Sequence, residues 1–241
     1  MDEKESDKRS GGRTDEAEEL VSAREERLAA FIDSWPVRQT PFLEALENRA
    51  RRDGVPVIRP QTQRLLRFLL ALRRPESILE VGTAVGYSAL FMHEYAQQGA
   101  RITTIEKDAA RAAEARAHFA EAGVSEAQIC LREGDAEQIL PTLAGTYEFI
   151  FMDAAKGQYP AFFPEVLRLL APGGILLSDN ILREGEVLES RYAVTRRNRT
   201  IHRRMRAYLE ALMEEPSLQT VLLETGDGAA ISLMRWEQAD E

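Results

Sequence analysis

Two short strings at the ends of apolar runs carry the side chains best suited to chemistry. One reads Phe151-Met152-Asp153-Ala154-Ala155-Lys156-Gly157-Gln158-Tyr159, the other Leu177-Ser178-Asp179-Asn180. Asp153, Asp179 and Asn180 would together offer two carboxylates and an amide carbonyl, with no His or Cys. An oxygen-only donor set suits a hard divalent cation such as Mg²⁺ rather than zinc, and leaves positions open for water or substrate oxygens. Asp-Asn is equally the composition of a plain strand-ending turn, so a metal site requires the fold to bring the two strings together. Lys156 follows Asp153 closely. Beside a cation and partly desolvated, its ammonium pKa is expected to fall, which would make it a general base; elsewhere such a lysine is a solvated charge.

A second group of residues points to a nucleoside. An apolar strand, SILEV, runs into Glu80-Val81-Gly82-Thr83-Ala84-Val85-Gly86-Tyr87-Ser88. Glycines at a strand-to-helix turn let a ligand approach the backbone closely. The spacing is Gly-x-x-x-Gly, so the dinucleotide fingerprint Gly-x-Gly-x-x-Gly is not met, and tight turns of this kind also serve only to join elements. Glu106, at the end of the next strand, can accept hydrogen bonds from both hydroxyls of a ribose, or else is an exposed strand-end acid. Gly134-Asp135-Ala136 follows the third strand, where a short acid can meet an adenine amino group. All three places fall at the carboxyl ends of adjacent strands, where open α/β sheets bind ligands. An adenosine-containing ligand is the expectation.

The elements that must position these residues alternate. SILEV precedes a helix at Ser88–Tyr95, RITTIE one at Ala109–Ala122, AQICL one at Ala136–Leu143, and YEFIFMD one at Tyr159–Leu170; GILLSD leads through a loop to Thr195–Glu214. Continuously apolar strands alternating with helices predict a parallel sheet covered on both faces. SLQTVLLE and AAISLMRW, joined by Thr225-Gly226-Asp227-Gly228, predict an antiparallel hairpin at the sheet edge. Upstream, Leu20, Leu28, Phe31 and Ile32 recur on one helical face, Pro41 opens a second helix that closes near Gly54, and a third covers about Gln61–Leu72. The expected fold is a doubly wound α/β domain. Residues 1–19 are read as a disordered acidic leader, and 20–241 as a single domain with N-terminal helices over 20–73 and a core over 77–241.

Composition excludes several classes. The chain has 241 residues, 44% hydrophobic and 29% charged, enough to bury a sizeable core. One cysteine rules out a disulfide framework or a Cys-rich metal site and fits a reducing compartment, hence a cytoplasmic location. No apolar run is long enough for a membrane span, and the N-terminus lacks the apolar segment of a secretory signal. The net charge of −9 argues against a uniformly basic nucleic-acid binder. Residues 1–26 hold ten acids and five bases, however, so more than half of that charge lies in the leader region.

Taken together, ILEVGTAVGYSAL, MDAAKGQY and LLSDN resemble the motifs of the cation-dependent, class I S-adenosylmethionine-dependent O-methyltransferases, the branch with catechol and caffeoyl-CoA O-methyltransferases. The resemblance covers about residues 55–235. Within the branch it is most similar to bacterial tRNA 5-hydroxyuridine methyltransferases, through VPVI at 55–58, DAAKGQY at 153–159, the Arg-rich segment after the fifth strand and GDGAAIS at 226–232. It implies a Rossmann-like class I methyltransferase fold, with a seven-stranded, mostly parallel sheet. It also implies that Asp153, Asp179 and Asn180 bind Mg²⁺, and that Lys156 is catalytic together with Asp153. Ile58, Glu80, Gly82, Ser88, Glu106, Asp135, Ala136 and Asp153 would hold the S-adenosylmethionine. The N-terminal helices would cover a homodimer interface, as in many relatives.

The substrate is a separate question. Thr195–Arg206 reads TRRNRTIHRRMR, six arginines without an acid. Arginine's planar fork donates paired hydrogen bonds to phosphate, so Arg196, Arg197 and Arg199 are candidate contacts to RNA. A solvated helix face has the same composition. The leading expectation is methylation of 5-hydroxyuridine in tRNA to 5-methoxyuridine; the alternative is a catechol-like small molecule with vicinal oxygens, using the same donor and metal sites. A non-catalytic adenosine-ligand or RNA-binding module is disfavoured by the intact set Asp153, Lys156, Asp179 and Asn180.

Overall fold

A computed structural model describes residues 23–24, 26–182, 185–190 and 193–236. The acidic leader expected over 1–19 lies outside the described residues. The chain divides into two compact units, Met1–Arg38 and Gln39–Glu241. In the first, helix α1 (residues 26–33) carries exposed Leu28, Phe31 and Ile32, and the Phe31 ring stands edge-on to Trp35 with centroids 6.2 Å apart.

The second unit opens with two helices, each started by a proline. In α2 (Pro41–Arg52) Pro41 occupies the first turn, where its missing N–H costs nothing, and the Thr40 side chain accepts from Leu43 N–H. In α3 (Pro60–Arg73) the buried stripe is Thr62, Gln63, Leu66, Leu69 and Leu70, so its first turn buries polar groups.

From there the alternation predicted from sequence unfolds. It comprises β1 (Ser77–Val81), α4 (Tyr87–Tyr95), β2 (Arg101–Glu106), α5 (Ala109–Glu121), β3 (Ile129–Glu133), α6 (Ala136–Ile139), β4 (Tyr147–Met152), α7 (Tyr159–Leu169), β5 (Leu170–Asp179), α8 (Arg199–Glu214), β6 (Leu218–Leu223) and β7 (Ala229–Met234). One seven-stranded sheet forms in the order β3-β2-β1-β4-β5-β7-β6. The first five strands are parallel; β7 runs antiparallel to both β5 and β6. This is the seven-stranded, mostly parallel sheet with an antiparallel end that the resemblance implies. Its core is continuous through the sheet: Ile78, Leu79, Val81, Phe149, Ile150, Phe151 and Met152 are all buried, with Tyr159, Phe162, Val166, Met205, Tyr208 and Leu212 packed from α7 and α8.

Three details differ from the sequence pattern. The helix predicted over 136–143 stops at Ile139 and tightens into a single 3₁₀ turn at Leu140–Thr142, because the Pro141 ring cannot sit within a continuing α-helix. The helix predicted from Thr195 begins at Arg199, where its buried stripe of His202, Met205, Tyr208 and Leu212 becomes able to pack on the sheet. The hairpin does end the sheet, but its second strand lies inside, between β5 and the edge strand β6.

Strand order reverses at β1: β2 and β3 lie on one side, β4 and β5 on the other. The loops leaving β1 and β4 therefore diverge and open a crevice at the carboxyl edge.

Candidate active site

Strand register puts the candidate residues side by side. Val81 pairs with Met152, and Met152 with Ser178, so Gly82, Asp153 and Asp179, each one residue further on, stand side by side at the carboxyl edge; Gly82 and Asp153 border the cavities there, whereas Asp179 is fully buried and borders neither.

The glycine turn after β1 is shaped by the protein's own backbone. Gly82 has φ +108°, and a Cβ there would overlap the Asp153 carbonyl group, with its carbon 2.8 Å away and its oxygen closer still. Gly86 has φ +86°, and a Cβ would lie 2.6 Å from the Phe119 ring. Ligand approach was the reason offered by the sequence; the structure adds internal packing at both glycines. Between them Ala84 adopts φ +47°, a conformation disfavoured for a residue with a Cβ. Its N–H donates to Glu106 Oε2 at 2.8 Å, and Glu106 Oε1 accepts from Asp108 N–H at 2.8 Å. Glu106 thus fastens the turn and faces the crevice at once.

Two adjoining cavities follow this turn. One, of about 350 Å³, is bordered by Ile58, Ser88, Lys156 and Asn180; the other, of about 250 Å³, by Glu106, Asp135, Ala136 and Phe162. Gly82, Ala84, Arg111, Asp153 and Ala154 border both. An elongated ligand with two differently lined ends fits such a pair. Asp135 caps α6 by accepting from Glu137 N–H and pairs with Lys107 at 2.6 Å, which draws its carboxyl below the usual range.

Glu80 is fully buried beneath the turn, where Thr104 Oγ1 donates to its Oε2 and Oε1 has no partner among the described residues. Burial pushes its pKa up to about 7, against the lowering by hydrogen bonds from Ser88 and Thr104.

At the other end, Lys156 Nζ lies 2.8 Å from Asp153 Oδ1 and 3.0 Å from the Tyr159 hydroxyl. Tyr159 OH in turn donates to the Met152 carbonyl at 2.9 Å. The lysine departs from expectation. Burial works against its charge, but the Tyr159 and Asp153 oxygens outweigh burial and hold the ammonium above its ordinary pKa. The physical reason is the pair of oxygens, Tyr159 hydroxyl and Asp153 carboxylate, brought against one amine, which was not visible from spacing alone.

Asp179 is buried and pushed up to about 6, first by desolvation and then by the neighbouring Asp153 charge. Its Oδ2 has no hydrogen-bond partner among the described residues. Asn180 follows with φ +53° and borders the larger cavity. Among the described residues no group of three His, Cys, Asp or Glu side chains could hold a metal. The set available is two carboxylates and one amide. A hard cation fits it: the unpartnered Oδ2 gains a partner, and two mutually repelling carboxylates gain a counter-charge.

The arginine candidates are distributed differently. Arg196 and Arg197 are exposed; Arg199 turns back to donate from Nε to the Val194 carbonyl at 3.2 Å. None of the three borders either cavity. Arg204, from the same run, reaches the turn after Lys156 instead: its Nη1 donates to the Gly157 carbonyl at 3.1 Å. Sequence spacing also missed Tyr159, Arg111 and Thr62, whose side chains approach the site only through tertiary packing. Tyr159 was legible at most as a helix start.

Comparison with known proteins converges on one family. The family model described as O-methyltransferase matches residues 37–235. The chain belongs to the O-methyltransferase family. A catechol O-methyltransferase of Niastella koreensis is 33% identical over 201 residues, 80% of this chain and 90% of the relative. One of Mycobacterium tuberculosis is 30% identical over 217 residues, covering 86% and 94%. The crystal structure of an SAH-bound methyltransferase of Podospora anserina superposes with TM-score 0.78 at 27% identity, covering 90% of this chain and 96% of that one. As a member of the family, this O-methyltransferase is an enzyme that uses S-adenosylmethionine as methyl donor. No described helix of it is long and apolar enough to cross a membrane.

Proposed function

We propose that this O-methyltransferase acts with a divalent cation, Mg²⁺, on the 5-hydroxyl of 5-hydroxyuridine in tRNA. The observation that carries the substrate class is the bond from Arg204 Nη1 to the Gly157 carbonyl. It fastens α8 beside the turn that carries Lys156, and Arg196, Arg197, Arg203 and Arg206, on this helix or just before it, are exposed. Such a face suits an RNA backbone. A catechol-like small molecule is the second reading, favoured by the relatives named catechol O-methyltransferase.

In this proposal Ile58, Gly82, Ser88, Glu106, Asp135 and Ala136 hold the donor, with Glu80 supporting the turn from beneath. The donor supplies an electrophilic sulfonium methyl group. The acceptor oxygen forms the new C–O bond as the C–S bond breaks, the bonding pair stays on sulfur, and the hydroxyl proton must leave. Lys156 Nζ would receive that proton in its neutral form, which a cation held by Asp153 would favour by offsetting the carboxylate charge that helps keep the ammonium protonated; the Tyr159 hydroxyl stands 3.0 Å from the amine. Asp153, Asp179 and Asn180 would hold the cation, which supplies Lewis acidity toward two neighbouring acceptor oxygens. The enzyme is proposed to be cytoplasmic and homodimeric. Phe68 and Leu72, 63% and 67% exposed on α3, support a second copy as their cover, which sedimentation would test.

The deciding experiment incubates the enzyme with Mg²⁺, labelled S-adenosylmethionine and tRNA containing 5-hydroxyuridine, beside a catechol control. Nucleoside mass analysis should find 5-methoxyuridine. Efficient catechol methylation with unmodified tRNA would reject the RNA substrate and favour the second reading.

A further inference from the structure

The first turn of α3 touches the site through a side chain that no motif singled out. Thr62 is fully buried, and its Oγ1 donates to Asp179 Oδ1 at 3.1 Å. The same oxygen accepts from Asn180 N–H at 2.9 Å. Two donors converge on Oδ1, and Oδ2 is left buried without a partner among the described residues. A carboxylate held by one oxygen in this way has its plane set, with the second oxygen reserved.

The hydroxyl itself is fenced in. Pro60 fixes the start of α3. Thr62's neighbour Gln63 is also fully buried and donates from Nε2 to the Ile58 carbonyl at 3.0 Å. On the other side lies Gly226, where a Cβ would stand in ordinary contact, 3.4 Å from Thr62 Oγ1. The helix before the first parallel strand therefore carries this hydroxyl group, and the hairpin after the last helix passes beside it. Buried, β-branched and enclosed, Thr62 has little freedom to point elsewhere.

We propose that Thr62 is a positioning residue: it orients the Asp179 carboxylate so that Oδ2 is presented to a divalent cation. The inference rests on the cation reading above, which assigns Asp179 to the metal. Removing a partner that orients a ligating group typically costs about 10–100-fold in metal affinity. Thr62 acts through Asp179 and has no contact with the reacting atoms, so its removal should weaken cation binding and leave donor binding intact.

The test uses the full-length protein and binding readouts. Mn²⁺ affinity is measured by electron paramagnetic resonance of the free ion, and S-adenosylhomocysteine affinity by calorimetry without metal. These are compared for the unaltered enzyme, Thr62→Val, Thr62→Ser and Asp179→Asn, with thermal unfolding recorded for each. Thr62→Val keeps the branched shape and removes the donor; it should weaken Mn²⁺ binding by about 10-fold or more and change S-adenosylhomocysteine binding by less than about twofold. Thr62→Ser restores the hydroxyl and should recover most of the affinity. If Thr62→Val does not fold, Thr62→Ala removes the donor without added bulk and is measured against Thr62→Ser. Equal Mn²⁺ affinity in the donor-less variant and the unaltered enzyme overturns the role of Thr62 while leaving the cation site standing. Serine no better than valine also overturns it, since packing would then be the cause. If the unaltered enzyme binds Mn²⁺ no better than Asp179→Asn, the cation reading fails and the role of Thr62 falls with it.

Discussion

Adding one methyl group at Gly82 should damage both the fold and the site, and the size of the effect can be worked from the geometry. Two costs arise in Gly82→Ala. The backbone at φ +108° is disfavoured for any residue with a Cβ, by about 1–3 kcal/mol. The new atom would also stand 2.8 Å from the Asp153 carbonyl carbon and 3.2 Å from Ala154 Cα, where ordinary contacts begin near ~3.4 Å. Backbone cannot swing aside as a side-chain tip can, so relieving the overlap moves the Asp153 main chain by more than half an ångström, at about 1–3 kcal/mol more. Gly99→Ala separates the two costs: its φ is +89° and nothing lies within 4 Å of the added atom. Gly99→Ala should show only the conformational cost. Gly82→Ala should unfold at a temperature lower by a further ~2–10 °C. Asp153 holds Lys156 at 2.8 Å, so its displacement should also reduce kcat, by about 100-fold for a shift approaching ~1 Å. Calorimetric unfolding and methyl-transfer rates measure both quantities. A Gly82→Ala enzyme as stable as Gly99→Ala, with undiminished turnover, would refute the reasoning.

Other perturbations have equally definite outcomes. Glu80 titrates at about 7 in the fold against an ordinary 4.5, so between those values the folded enzyme binds more protons than the unfolded chain, and stability falls as pH rises through that window. The loss is on the order of 3 kcal/mol; Glu80→Gln, which keeps an acceptor for Thr104, should flatten the dependence of Tm on pH, and parallel curves for the two proteins would contradict this. Reversing Arg196 and Arg197 to Glu should reduce transfer to RNA by about 10-fold or more at moderate salt and change transfer to a catechol by less than about twofold; equal losses on both substrates would argue against an RNA face. Asp153→Ala removes a cavity-lining carboxylate and the partner of Lys156 at once, so labelled-methyl transfer should vanish; full activity in metal-free buffer would reject the proposed chemistry. Chelation of the unaltered enzyme should stop transfer, with Mg²⁺ restoring it.

Much of the architecture was legible because the central strands are largely apolar and most of the helices carry a buried stripe. All five parallel strands and the hairpin are present, although β3 lies two residues later than AQICL and β5 begins four residues before GILLSD. Boundaries were less legible where a local feature competes: Pro141 cuts a helix that periodicity alone would continue, and α8 starts at Arg199, where packing against the sheet begins. At the site, Asp153, Asp179, Glu106 and the glycine turn were recognisable from residue type at strand ends. The protonation of Lys156 was not, because it depends on a 2.8 Å ion pair and a tyrosine hydroxyl at 3.0 Å.

The charge pattern shows the same division. From sequence alone come the acidic total of −9, its concentration in the first 26 residues and the six arginines of 195–206. Tertiary structure decided which arginines do what: Arg199 folds back on Val194 and Arg204 clasps the turn after Lys156, while Arg196 and Arg197 remain exposed. It also decided that Gly82 yields to the Asp153 backbone, and that Thr62, 117 positions from Asp179 along the chain, is its hydrogen-bond donor. Residue type and periodicity are local properties, and they determine elements and candidate chemistry. Hydrogen-bond direction, desolvation and close approach depend on distances between remote segments, which exist only once the sheet has closed and the helices have packed on it.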